Sequence, residues 1–261
     1  MNIKKIEKLK NNKYKIFLDD DFIITYDNVI LMHNLLYKKD IDKDLYKKIV
    51  SSTKYFDAYN KLVKYIMKKR RSKKESIEYL KKYFTDLSYD DINSIIKKLE
   101  DLNIINDYEY CKAYINDKIY LSNQGINKIR IELLSQEIPE DVIDIELKKV
   151  DIDLLNSKLE KAILKKINAN KKHSNYHLKQ KIMNEMINLG YSKQIVEEII
   201  DSNLKKDNDD ILEKEYLKLY NKLVKKYSGQ ELSMKIKYNL LSKGFESDKV
   251  SKLLESKKEG F

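Results

Sequence analysis

The stretch Asn106–Val150, NDYEYCKAYINDKIYLSNQGINKIRIELLSQEIPEDVIDIELKKV, decides how the chain is read. It divides into three short helices. Asn106 and Asp107 suit the cap of the first, which carries Tyr110, Ala113 and Tyr114 on one face. Ser122–Gly125 interrupts it. A second helix sets Ile126, Ile129, Leu133 and Leu134 at helical spacing. Pro139 suits the first turn of a third, where its missing N–H costs nothing. Ile143 and Leu147 continue the apolar stripe. One such unit is too small to bury its own faces, so further copies are expected.

The copies follow from a register. Ile138 marks the corner between second and third helix; Tyr191 lies 53 residues on and Phe245 another 54. Nine residues before these anchors stand Ile129, Ile182 and Ile236; five before, Leu133, Met186 and Leu240; four before, Leu134, Ile187 and Leu241. Five after stand Ile143, Val196 and Val250; nine after, Leu147, Ile200 and Leu254. Every position is apolar in a chain that is only 42% apolar, so chance is a poor explanation. Gly190 and Gly244 precede their anchors, where a left-handed residue ends a helix. A period near 50 residues predicts a stacked array. The fold class expected is mainly α: tandem three-helix repeats in an elongated curved array, with a small antiparallel β segment at the N-terminus. The expected divisions are 1–52, then repeats at 53–105, 106–150, 151–204 and 205–261.

These residues also carry a resemblance. Asn106-Asp107 with Tyr110, followed by Gly125, Ile129, Leu133 and Ile138, resembles the middle repeat of RecX-type regulatory proteins. The join Val150-Asp151-Ile152-Asp153 and the corner Leu189-Gly190-Tyr191 fit the repeat that follows, and Arg71-Ser72-x-x-Glu75 resembles the opening of the one before. The resemblance runs from about Tyr55 to Ser202, more loosely beyond. Ser76 departs from it, standing where the family has Leu; so does the linker Asn116–Gln124, which holds only Lys118 where relatives are basic.

The resemblance implies a partner: the RecA filament on single-stranded DNA. Such proteins lie in the filament's groove, limit its growth or stability, and so restrain strand exchange and co-protease activity. Single-stranded DNA would be met through the filament. Contact residues are assigned by charge: Lys68, Lys69, Arg70 and Arg71, then Lys128 and Arg130, with Lys171 and Lys172 as a further basic cluster. Arg130 is equally open to a structural ion-pair role, and Lys68–Arg71 to that of a solvated helix end whose cations complement the dipole.

Composition sets the limits. One Pro, five Gly, no Trp and 36% charged residues describe a helical, soluble chain. Cys111 is the only cysteine, so no disulfide framework exists. No apolar run of membrane-spanning length occurs, and the start is charged, so a cytoplasmic protein without membrane contact is expected. Net charge is +11, from 53 Lys and Arg against 42 Asp and Glu. That favours polyanionic partners or acidic protein surfaces. The abundance of Lys, Asn, Ile and Tyr equally suits an A/T-rich genome that raises lysine everywhere.

In the N-terminal segment, Asn11-Asn12 signals a turn, and Tyr14–Leu18 and Phe22–Tyr26 read as strands joined through Asp19–Asp21. Asn28–Val50 reads as one or two short helices burying Val29, Leu31, Leu35 and Leu36; Tyr55–Arg71 reads as a longer helix. Ser72 caps the next, and Ser88 with Asp91 forms a capping box. Three consecutive aspartates do not converge on one ion. His173 and His177, four apart, would share a helix face, but the glutamate of a zinc-protease motif and further thiols are absent, so no metal or cofactor is expected. The tail from Ser256 to Phe261 is expected to fray.

No phosphate-binding glycine loop, nucleophile elbow or dinucleotide fingerprint occurs, so a non-enzymatic protein is expected; a monomer is expected as well. Two other classes stay open: a DNA-binding regulator of helix-turn-helix type, and a helical protein-binding scaffold without DNA contact.

Overall fold

In a computed structural model, residues 1–170, 173–204 and 209–257 are described. Among them are three strands and thirteen α-helices. The strands β1 (Lys5–Lys8), β2 (Lys13–Phe17) and β3 (Phe22–Tyr26) form an antiparallel sheet in the order β1-β2-β3. Asn11 and Asn12, both at positive φ, make the tight turn between the first two. Ile16 pairs with Ile6 on one side and Ile23 on the other.

Short α1 (Asp27–Met32) and a 3-10 turn at Leu35–Tyr37 follow, then α2 (Lys43–Lys68), α3 (Lys73–Tyr83) and α4 (Tyr89–Asp101). Next come α5 (Asp107–Leu121), α6 (Ile126–Ser135) and α7 (Glu140–Leu147). They are followed by α8 (Ile152–Asn168), α9 (Asn175–Asn188) and α10 (Lys193–Asn203), and by α11 (Asp209–Leu223), α12 (Gly229–Ser242) and α13 (Ser247–Ser256). No helix among the described residues is long and apolar enough to cross a membrane.

The chain forms two compact units. One takes Met1–Ala113 and Leu134–Val142; the other takes Tyr114–Leu133 and the described residues from Ile143 onward. In the first, the sheet lies on α1 and α2 over Ile16, Val29, Leu35, Ile41 and Ile49. Thr53 of α2 donates its hydroxyl to the Ile49 carbonyl at 2.7 Å, so its oxygen receives the Thr25 hydroxyl at 2.6 Å. The Tyr26 hydroxyl donates to Asp57 at 2.6 Å, and burial followed by this bond pushes its pKa up to about 12.

Three expectations change here. Helix α2 starts at Lys43 rather than Tyr55, because Asp42 caps it and nothing between Val50 and Tyr55 breaks it. Leu31 and Leu36 are exposed; Ile30 and Ile41 are buried instead. In a helix of six residues only Val29 and Ile30 face the core, and Leu31 turns away from it. His173 lies ahead of α9 and shares no helix face with His177.

The repeat register maps onto burial. At each of the rows anchored on Ile138, Tyr191 and Phe245 all three residues are buried, save one. The row four before the anchors is partly exposed in every copy: Leu134 41%, Ile187 39%, Leu241 37%. Those residues lie in the last turns of their helices, and their carbonyls receive the amides of Glu137, Gly190 and Gly244. All three donating residues have positive φ. Glu137 adopts it without being glycine.

The ends of the middle helices meet in a recurring joint. In the first unit, Ser72, the buried cap of α3, donates to Gln136 Oε1 at 3.0 Å and receives the Glu75 amide at 3.0 Å. Lys74 Nζ donates to the Ser135 carbonyl at 2.9 Å, and the Lys73 amide to Asp107 at 2.9 Å. In the second unit, the Gly125 amide, opening α6, donates to the Leu189 carbonyl at 2.7 Å, and the Asn127 amide to that of Gly190 at 3.1 Å. Again in the second unit, Ser174, the buried cap of α9, donates to the Lys243 carbonyl at 2.8 Å. Each joint sets the donor-rich start of one middle helix against the carbonyl-rich corner of the next. Ser228, the cap of α12, is exposed and makes no side-chain cap.

Lys243 also donates to buried Glu215 of α11. Burial alone would push that carboxyl up; the bond and charge of Lys243, with Lys218, outweigh it and hold it below its ordinary value.

Gly190 is the test position. Its φ is +91°, and an added Cβ would overlap the Lys128 backbone nitrogen and Cβ. Gly229, at φ +55°, has open space around it. Gly190→Ala should cost about 2–4 kcal/mol in chemical denaturation. Gly229→Ala should cost about 1 kcal/mol, the left-handed penalty alone. Equal losses would mean that the joint carries no packing constraint.

Candidate functional site

The first unit holds a cleft lined by cations and tyrosine rings. Along α2, Lys61, Lys64, Tyr65 and Lys68 fall at helical spacing on the side away from Leu62 and Ile66. Across from them α3 presents Glu75, Glu78, Tyr79, Lys82 and Tyr83. Together they line an open cleft of about 580 Å³.

The rings form a short stack. Tyr65 and Tyr79 lie nearly parallel, 4.3 Å apart at 14°, and Tyr83 follows 4.9 Å from Tyr79, tilted at 49°. Arg71 covers the other end, its guanidinium 4.2 Å from the Tyr65 ring. Arg71 also pairs with Glu75 at 3.1 Å, and Glu75 receives the Ser72 amide at 3.1 Å. Burial pushes the Tyr79 hydroxyl up, with Lys61 opposing. Tyr83, 60% exposed, is the open end of the stack.

The cations differ in freedom. Lys61 pairs with Asp57 at 2.8 Å, and Lys82 rests 5.2 Å over the Tyr83 ring. Lys68, Lys69 and Arg70 are exposed at the end of α2. Among the described residues, no carboxylate pairs with Lys64, Lys68, Lys69 or Arg70.

The other charge-assigned residues lie elsewhere. Arg130 of α6 is paired with Asp144 of α7, the structural role left open by the sequence. Lys128 is half-buried, its backbone packed under Gly190. Nearby, Glu132 receives the Tyr114 hydroxyl at 2.6 Å and Lys118 at 3.3 Å. Burial pushes the Glu132 carboxyl up, but these two partners outweigh it and hold it low. Lys171 and Lys172 lie outside the described residues. Lys68–Arg71 thus belong to one compact unit, and Lys128 and Arg130 to the other.

Sequence reasoning missed Lys61, Lys64, Tyr65, Tyr79, Lys82 and Tyr83. It read α2 for its inward face alone. The available signal was the outward run of Lys61, Lys64, Tyr65 and Lys68 in a chain with 20 tyrosines.

Known proteins resemble this chain over nearly its whole length. The regulatory protein RecX of Streptococcus agalactiae is 31% identical over 261 residues, covering 97% of this chain and 98% of that protein. RecX of Bacillus cytotoxicus is 29% identical, covering 97% and 96%. Among solved structures, a crystal structure of regulatory protein RecX superposes with a TM-score of 0.64 at 24% identity, over 77% of this chain and 98% of the other. RecX from Lactobacillus salivarius gives 0.51 at 26% identity, over 58% and 97%. No family model matches the sequence.

The basic run should divide by substitution. Arg71→Ala removes an ion pair and a ring contact and should cost about 1–2 kcal/mol in urea denaturation. A double change, Lys69→Ala with Arg70→Ala, should stay within about 0.5 kcal/mol of the parent. The reverse order would assign Arg71 to the surface and its neighbours to the fold.

Proposed function

We propose that this chain, which belongs to the RecX family of regulatory proteins, binds the RecA filament on single-stranded DNA and restrains its recombinase, ATPase and co-protease activities. In this reading it is a non-enzymatic, cytoplasmic monomer acting in recombination and the SOS response. The observation that carries it is the likeness to RecX proteins across 97% of the chain. The helical architecture agrees, and we read it as three-helix modules at 53–105, 106–150, 151–204 and 205–261.

We assign the filament contacts to Lys68, Lys69, Arg70 and Lys128, whose cations no described carboxylate pairs with. Lys171 and Lys172 join them on charge alone. Arg71 and Arg130, each engaged with a carboxylate, hold the surrounding backbone in place instead. Exposed cations at a partner surface act on encounter rate and on salt dependence more than on stability.

The test adds the purified chain to RecA assembled on single-stranded DNA and follows ATP hydrolysis. Hydrolysis should fall progressively at fewer chains than RecA protomers. Lys69→Ala with Arg70→Ala should raise the concentration needed several-fold, with the fold intact. Unchanged hydrolysis at one chain per protomer would overturn the reading.

A further inference from the structure

We propose that the cleft between α2 and α3 binds single-stranded nucleic acid directly, by stacking unpaired bases on Tyr83 and by seating backbone phosphates on Lys64, Lys68 and Lys82. This goes beyond the filament reading, since it needs no RecA.

Tyr65, Tyr79 and Tyr83 form a graded stack, closed by the Arg71 guanidinium at one end and exposed at the other. An aromatic face left to solvent at the end of a stack suits the face of a base, whichever base it is. Lys82 rests over Tyr83 without an acidic partner among the described residues, so an arriving base frees it for phosphate.

The lysines supply the second half. Lys64 and Lys68 are one turn apart on α2, so their stems leave the helix about 6 Å apart. That spacing lets each meet a different phosphate of an extended strand. Glu75 does not oppose them, because Arg71 and the Ser72 amide already occupy it. Glu78 is the one exposed carboxylate of the lining, against three lysines without acidic partners.

A comparable cleft between α8 and α9 clarifies the choice. It carries Lys166, Lys181 and Glu185, with Lys166 paired to Glu185 at 2.6 Å, and among the described residues no tyrosine lines it. Lysines between helices are thus a general feature of this chain; lysines beside an open ring stack belong to the α2–α3 cleft. Paired bases offer no face to such a stack, so duplex is the wrong form.

The test uses the full chain without RecA and a short fluorescent oligothymidylate followed by anisotropy. Three comparison strands go beside it: an abasic strand of the same length and charge, the duplex, and the same strand at raised salt. The oligothymidylate should bind at least ~5-fold more tightly than the abasic strand. Affinity should fall steeply between about 50 and 200 mM salt. Tyr83→Ala should lower affinity at least ~5-fold, while Tyr37→Ala, an exposed ring elsewhere, should leave it unchanged. Lys64→Gln with Lys68→Gln should weaken binding and flatten the salt slope.

No binding at low salt, equal affinity for abasic strand or duplex, or indifference to the Tyr83 or the lysine changes would each overturn the proposal. None of these outcomes touches the RecA reading, whose assay measures a different partner.

Discussion

Every α-helix ends with backbone groups that its own ladder cannot satisfy: amides at the start, carbonyls at the finish. The middle helices of this chain satisfy many of theirs on one another. The starts of α3, α6 and α9 meet the corners that close α6, α9 and α12, through Ser72, Gly125 and Ser174. Each bond contributes only about 0.5–1.5 kcal/mol net, but a buried donor left unmade costs about 1–3. The joint is therefore held more by the penalty for opening it than by its own strength. Opposed helix dipoles add to it, with the positive start of one helix against the negative finish of another. The capping residues are buried in these three joints and exposed at Ser228, where none forms among the described residues.

The same constraint decides which residues stand at the corners. Close approach of two backbones leaves no room for a side chain, and at the α6–α9 joint glycine stands on both sides, as Gly125 and Gly190. At the α3–α6 joint the contact runs through the side chains of Ser72, Lys74 and Gln136, and Glu137 takes the left-handed corner. Gln136 and Lys74 carry no sequence signature of this duty. The register of apolar rows was legible because burial on a helix must recur every three or four residues. The joint was not, because it depends on partners more than fifty residues away.

The partly exposed row shows the limit of hydrophobic pattern. Leu134, Ile187 and Leu241 keep helical spacing and are apolar in all copies, yet each lies on the last turn, where the chain is leaving the core. Leu31 and Leu36 misled for a related reason: one turn of helix buries only a narrow stripe. The cleft between α2 and α3 was missed because the outward face of a helix is read as solvated by default. Its tyrosines acquire meaning only when α3 brings Tyr79 and Tyr83 alongside Tyr65. The resemblance to RecX proteins was legible in motif residues and their spacing, and relatives similar over 97% of the chain bear it out.

These helix-end joints, beyond the apolar rows, hold the middle helices within each unit to one another. Native-state hydrogen exchange tests it most directly, because it reads single amides. The Gly125 and Asn127 amides donate to Leu189 and Gly190, while Gly229 and Gln230 of α12 have no acceptor among the described residues. The account predicts that Gly125 and Asn127 exchange orders of magnitude more slowly than Gly229 and Gln230, with protection approaching that of the buried core. Exchange of all four at a common, nearly unprotected rate would contradict it.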